Sequence, residues 1–292
     1  MLCTHSMASL GLLQLSRYTV AKTGYQQPEQ EDKRMLAIIG GTGMDTWSEF
    51  RPGRQLSVQT PYAPEPVILS CGHVEDSQEL VFLPRHGTGH TVPPHRINYR
   101  ANIYALREAG VKAVLAVNAV GGVHREMGPG AIAVPNQIID YTWGREHTFF
   151  DGVFNGFDSP DRFSAAVTHI DFTEPYDEAM RQLLISSAAN CGLRICTLGV
   201  YAATQGPRLE TPAEVKRIER DGDDMIGMTG MPEAALAREA GLAYATLALS
   251  VNYAAGLGAG SITVEAIREV LASGMGQVQQ ILAEACKSYG KS

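Results

Sequence analysis

The chain has 292 residues, 45% of them hydrophobic, and a formal net charge of −7. It is long and apolar enough to bury an extensive core, and its negative balance argues against a general binder of nucleic acid or membrane surfaces. No apolar run approaches the roughly 18 residues that a membrane helix needs. Cys3, Cys71, Cys191, Cys196 and Cys286 form no CxxC and no His-rich ligand spacing, so free thiols in a reducing, cytoplasmic setting are expected and a zinc site is not.

Residues 1–34 differ from the rest of the chain. Met1 to Val20 is mildly apolar but broken by Ser9, Gln14 and Ser16, and Gln26 to Arg34 is polar and charged. With no basic start, unbroken apolar stretch or clear cleavage site, the segment does not read as a signal peptide. A disordered extension is expected, with Met35 a candidate for the natural start. Leu36 to Ile39 is a predicted buried strand running into Gly40, Gly41, Thr42 and Gly43, a turn that can offer backbone N–H groups and a hydroxyl to an anion. A dinucleotide fingerprint would need glycine where Thr46 stands, so that match fails. Val67 to Leu69 and Leu80 to Leu83 are predicted strands, the second ending at Arg85 and His86. That pair reads equally as a solvated turn or as an anion site. Asn98 to Ala109 has helical spacing, and Val114 to Val117 is a buried strand ending at Asn118 and Ala119, with Gly121 and Gly122 beyond.

Ala131 to Val134 is another predicted strand, and Glu174 to Asn190 is a helix that Cys191 and Gly192 stop. The apolar run Leu198 to Ala203 then meets Gly206 and Pro207, which present Arg208, Leu209 and Glu210 at a strand end. Thr211, Pro212 and Glu214 fit N-cap, N1 and N3 of the next helix: Thr accepts a backbone N–H, Pro needs no donor, and Glu reaches back to the cap. On that spacing alone Glu210 is an ordinary loop residue. A short strand at Met225 to Gly227, a helix from Pro232 to Glu239, a strand at Tyr244 to Val251 and a final helix from about Thr263 to Tyr289 complete the chain. Strands and helices alternate, and the strand-end loops carry the polar residues. The expected fold is a single α/β layered domain over 35–292, a central mixed sheet flanked by helices, with its ligand at the carboxyl edge.

Five motifs stand in order: I-I-G-G-T-G at 38–43, P-R-H-G-T-G-H at 84–90, T-Q-G-P-R-L-E-T-P-A-E at 204–214, D-M-I-G-M-T-G-M-P-E-A at 224–234 and L-S-V-N-Y-A-A-G at 249–256. Together they resemble the trimeric purine nucleoside phosphorylases, specifically the 5'-methylthioadenosine phosphorylase branch, and the likeness covers almost all of Met35 to Ala285. The segment I-D-Y-T-W-G-R-E-H-T-F-F-D-G also resembles that family's loop after its central strands. The resemblance implies cleavage of the N-glycosidic bond of a purine nucleoside by inorganic phosphate as co-substrate, with no metal or organic cofactor. It also implies a homotrimer in which a neighbour's loop, here Phe163 to Thr173, covers the sugar.

Carried over residue by residue, Thr42, Arg85, His86, Ala119 and Thr229 match the family's phosphate positions, and Asn118 replaces a hydroxyl-bearing residue beside Ala119. Met228 matches the residue that packs on the ribose, a position otherwise read as core filler. His169 and Val264 match the methylthio pocket, with His90 a further candidate nearby, and His169 reads equally as a hydrogen-bonded loop histidine. Leu209 and Tyr253 complete the expected substrate set around Glu210, Asn252 and Ala254. Asn252 and Ala254 stand where the methylthioadenosine enzymes carry two Asp, and Glu210 where they carry Ser and the 6-oxopurine enzymes carry Glu. A carboxylate accepts the N1–H of hypoxanthine or guanine but repels the lone pair of adenine, while an amide can donate to O6 or pair with N7. The expected reaction is phosphorolysis of S-methyl-5'-thioinosine to hypoxanthine and 5-methylthioribose 1-phosphate, with Asn252 and His86 as catalytic residues. A general inosine/guanosine phosphorylase is the nearest alternative. A methylthioadenosine phosphorylase and a silent nucleoside-binding protein stand behind it.

Overall fold

The apolar run behind Met35 forms strand β1 (Met35–Gly40), buried from Leu36 onward. Its side chains alternate between two cores: Ala37 and Ile39 belong to one apolar cluster, Leu36 and Ile38 to the other, as the two-residue period of a strand requires. The computed structural model describes residues 35–44, 47–152 and 168–291. The extension expected over 1–34 and the first part of the Phe163 to Thr173 loop lie outside them.

Nine further strands are present among the described residues: β2 (Arg51–Val58), β3 (Val67–His73), β4 (Leu80–Pro84), β5 (Val111–Gly122), β6 (Ile132–Ala133), β7 (Gln137–Asp140), β8 (Val200–Ala203), β9 (Met225–Gly227) and β10 (Ala243–Tyr253). They form one mixed sheet in the order β2-β3-β4-β1-β5-β9-β8-β7, with β10 pairing β5 and β6. The parallel pairs β1/β4, β1/β5 and β5/β10 make its centre. Helices α1 (Tyr99–Glu108) and α4 (Gly230–Glu239) supply one core, and α2 (Glu178–Asn190) and α5 (Val264–Ser288) the other. The result is the expected layered α/β arrangement around a mixed sheet. Strands covered on both faces read as continuous apolar runs, which is why β1, β5 and β10 were legible without alternation.

Helix α3 (Pro212–Asp221) starts as its capping box dictates: Thr211 accepts from the Glu214 backbone at 3.2 Å, and Glu214 accepts from the Thr211 backbone at 2.7 Å. Strands β2 and β7 escaped the sequence, and β5 runs further than expected. Strand β2 is polar and almost wholly exposed at the sheet edge, where Pro and charge are tolerated and no apolar period is needed. Strand β5 continues past Asn118 to Gly122 because β10 and β9 pair with that extension. Helix α2 begins at Glu178, with Asp177 as its cap, four residues later than the Glu174 read from composition. No helix among the described residues is long and apolar enough to cross a membrane.

Candidate active site

Five strands and the segment before α3 bring residues to one cavity. Thr42 follows β1, Arg85 and His86 follow β4, Asn118 and Ala119 lie on β5, Leu209 and Glu210 precede α3, Met228 and Thr229 join β9 to α4, and Asn252 and Ala254 end β10; all of them line it. This is the carboxyl edge of the sheet, where backbone groups beyond the strand ends are free for a ligand. Four expected residues lie outside its lining, His90 among them. His169 is exposed, Val264 is 56% exposed at the start of α5, and Tyr253 turns its hydroxyl to the Arg125 carbonyl at 3.4 Å. Ile262 and Ile267 supply aliphatic lining that the sequence did not single out.

At one end of the cavity Arg85 is 2% exposed. Its Nε and Nη2 donate to Glu233 at 2.6 and 2.7 Å, and its Nη1 donates to the Val117 carbonyl at 2.9 Å. Two of its five N–H groups remain for an anion. Burial works against the Arg85 charge, but Glu233 overcomes it and holds the pKa above its ordinary value. Glu233 also accepts from the Tyr244 hydroxyl at 2.8 Å. Its role was not assigned from the sequence; the available signal was a lone acid in the apolar window M-P-E-A-A-L-A. Gly41 packs so closely that a Cβ there would sit 2.4 Å from the Val117 carbonyl and 2.9 Å from Arg85 Nη1, so only glycine lets this strand end meet the guanidinium.

Asn118, 2% exposed, accepts from the Thr229 hydroxyl at 2.9 Å. That bond fixes the amide orientation, and its Nδ2 is buried with no hydrogen-bond partner among the described residues. A buried donor of this kind carries a desolvation cost that an incoming anion would remove. His86 donates from Nδ1 to the Val92 carbonyl at 2.8 Å, which directs its other nitrogen away from that bond. Burial, with smaller contributions from Arg85 and His90, brings its pKa down to about 4 despite the bond to Val92. The imidazole is therefore uncharged at neutral pH. His90 packs its ring on His86 at 4.2 Å and lies 3.5 Å from the Thr42 hydroxyl.

At the other end Glu210 accepts from the Thr204 hydroxyl at 2.8 Å. Asn252 donates from Nδ2 to the Tyr253 carbonyl at 2.7 Å, which leaves its second N–H and its oxygen for a ligand. A register shift between Ser250 and Asn252 where β10 pairs with β5 re-aims this residue, as bulges beside functional sites do. A carboxylate and an amide thus line the same cavity as Arg85, Asn118, Thr229 and Met228. Among the described residues no group of three or more His, Cys, Asp or Glu is placed to hold a metal.

Residues 35–287 match the family model described as "Phosphorylase superfamily". A probable S-methyl-5'-thioinosine phosphorylase of Pseudomonas syringae pv. tomato is 50% identical over 249 residues, covering 85% of this chain and 97% of that protein. The 6-oxopurine nucleoside phosphorylase of Pyrococcus furiosus is 45% identical over 237 residues, covering 81% and 86%. Among solved structures, a methylthioadenosine phosphorylase from Schistosoma mansoni in complex with adenine superposes with a TM-score of 0.82 at 33% identity, covering 89% of this chain and 93% of that one. With the family model spanning nearly everything after Met35 and the strand-end residues gathered in one cavity, the chain belongs to the phosphorylase superfamily.

Proposed function

We propose that this nucleoside phosphorylase acts on S-methyl-5'-thioinosine, releasing hypoxanthine and 5-methylthioribose 1-phosphate. The observation that carries the reading is that Glu210 and Asn252 line the same cavity as Arg85, Asn118 and Thr229. A phosphate oxygen attacks the anomeric carbon while the bond to purine N9 breaks, and the bonding electrons leave with the purine. The negative phosphate stabilises the oxocarbenium-like sugar. Glu210 accepts N1–H of the 6-oxopurine, and the Asn252 amide donates to the base as its charge grows. His86, neutral and donating to Val92 through Nδ1, presents Nε2 to a phosphate that retains a proton. Ala119 and Thr42 add backbone and hydroxyl contacts, and Met228 packs on the sugar.

Relatives named for S-methyl-5'-thioinosine and for 6-oxopurine nucleosides support the base assignment. The second of these names favours one rival, a general inosine/guanosine phosphorylase. His169 and Val264 lie outside the cavity lining, and a homotrimer that brings such residues to a neighbour's site is part of the proposal. Exposed Trp143, Leu257 and Val264 support the same assembly, since large apolar side chains are expensive to leave in water. A cytoplasmic location and a catalytic domain over 35–292 complete the proposal. Hypoxanthine release that requires added phosphate is expected. Release by water alone would make the protein a hydrolase, and nucleoside binding without turnover would make it a silent receptor.

A further inference from the structure

Arg145 lies in the loop after β7, is 9% exposed, and does not line the cavity. It makes six hydrogen bonds, all to uncharged oxygens among the described residues. Nε donates to Gln205 Oε1 at 3.1 Å, and Nη2 to the Thr204 and Gln205 carbonyls at 3.2 and 2.8 Å. Nη1 donates to the Met228 and Met231 carbonyls at 2.8 and 2.6 Å and to the Tyr99 hydroxyl at 3.2 Å. A guanidinium buried without a carboxylate is costly to desolvate, and here carbonyl dipoles of two separate segments offset that cost.

Those segments are the two halves of the site. Thr204 holds Glu210 through its hydroxyl, and Met228 and Thr229, which line the same cavity, are the residues the proposed reaction gives to sugar and phosphate. The segments also touch directly, because Gly206, at φ +60, leaves room that a Cβ would fill 2.4 Å from Met228 Sδ. We propose that Arg145 is a positioning residue that sets the spacing between the base-reading loop and the loop that holds sugar and phosphate. Only a planar fork with five donors spans both sets of carbonyls, and a lysine ammonium, with three donors on one atom, cannot.

The inference rests on the assignment of this cavity to phosphorolysis. Its test is a double-mutant cycle in the full chain with Arg145→Lys, Glu210→Ala and the pair, reading kcat and KM for S-methyl-5'-thioinosine and for phosphate. Arg145→Lys is expected to lower kcat/KM by about tenfold or more and to raise both KM values, since small displacements of positioned groups cost rate steeply. In the Glu210→Ala background the same change should cost several-fold less, because no carboxylate remains to be placed. Arg181→Lys is the control: Arg181 is also buried and donates to the Pro135 and Thr197 carbonyls, but it does not line the cavity. It should lower Tm and leave kcat/KM of the folded protein unchanged. If Arg145→Lys does not accumulate folded, Gln205→Ala removes one acceptor and leaves the cation bonded, and the same coupling is expected at smaller amplitude. Additive effects in the cycle, or an Arg145→Lys variant that behaves like Arg181→Lys, would overturn the role of Arg145 alone. A parent chain without phosphorolysis would overturn the underlying reaction and this inference with it.

Discussion

In the proposed reaction Glu210 and Asn252 divide the reading of a purine between an acceptor and a donor, and that division would set substrate preference. Asn252→Asp combined with Glu210→Ser should shift relative kcat/KM from hypoxanthine toward adenine nucleosides, although Ala254 still lacks the second carboxylate and the shift will be partial. An unchanged ratio of methylthioinosine to methylthioadenosine turnover would remove these two residues from the base contact. At the anion end, Glu233→Gln leaves Arg85 as an unpaired buried cation. Breaking such a pair costs about 3–5 kcal/mol, so the expected result is a lowered denaturation midpoint together with a raised phosphate KM. His86 adds a pH signature. Its folded pKa of about 4 lies below the ordinary 6.5, so between those values the unfolded chain takes up a proton that the folded chain refuses. Stability from this group is full above pH 6.5 and is lost as pH falls toward 4. Melts of His86→Gln should be flatter across that window, and an identical slope would contradict the assignment.

At the scale of elements, local signals were legible where local chemistry sets the structure. The capping box at Thr211 and Glu214 fixed the start of α3, and Thr211→Ala should cost about 1 kcal/mol, read as a fall in Tm with little change in base preference. Strand-end glycines pointed to loops that do line the cavity, since a turn that brings backbone close to another group needs residues without a Cβ. What the sequence hid depends on distant pairing. Arg85 could be nominated as an anion ligand, but its counter-ion Glu233 lies 148 residues away and leaves no spacing to read. Asn118 likewise gained a defined orientation only once Thr229 was seen to hold its oxygen. Strand β2 left no apolar pattern because its side chains face water.

At the scale of the whole molecule, the resemblance in five motifs supplied the superfamily, and the cavity brought most of the expected residues together. His169, Val264 and Tyr253 fall outside the lining of that cavity, and the proposed homotrimer would have a neighbour complete it. Sedimentation is expected to give a trimer. Mixing Arg85→Ala with a variant disrupted over Phe163 to Thr173 should restore some activity if that loop serves the adjacent site, and exchange without recovery would count against sharing. Removing residues 1–34 is expected to leave activity nearly unchanged. Most direct is a comparison of kcat/KM for S-methyl-5'-thioinosine, S-methyl-5'-thioadenosine and inosine at saturating phosphate. Methylthioinosine should be preferred over both, and over methylthioadenosine by as much as about 10⁴, the discrimination that mismatched buried polar groups can give. Faster release of adenine than of hypoxanthine would contradict the 6-oxopurine assignment of Glu210 and Asn252.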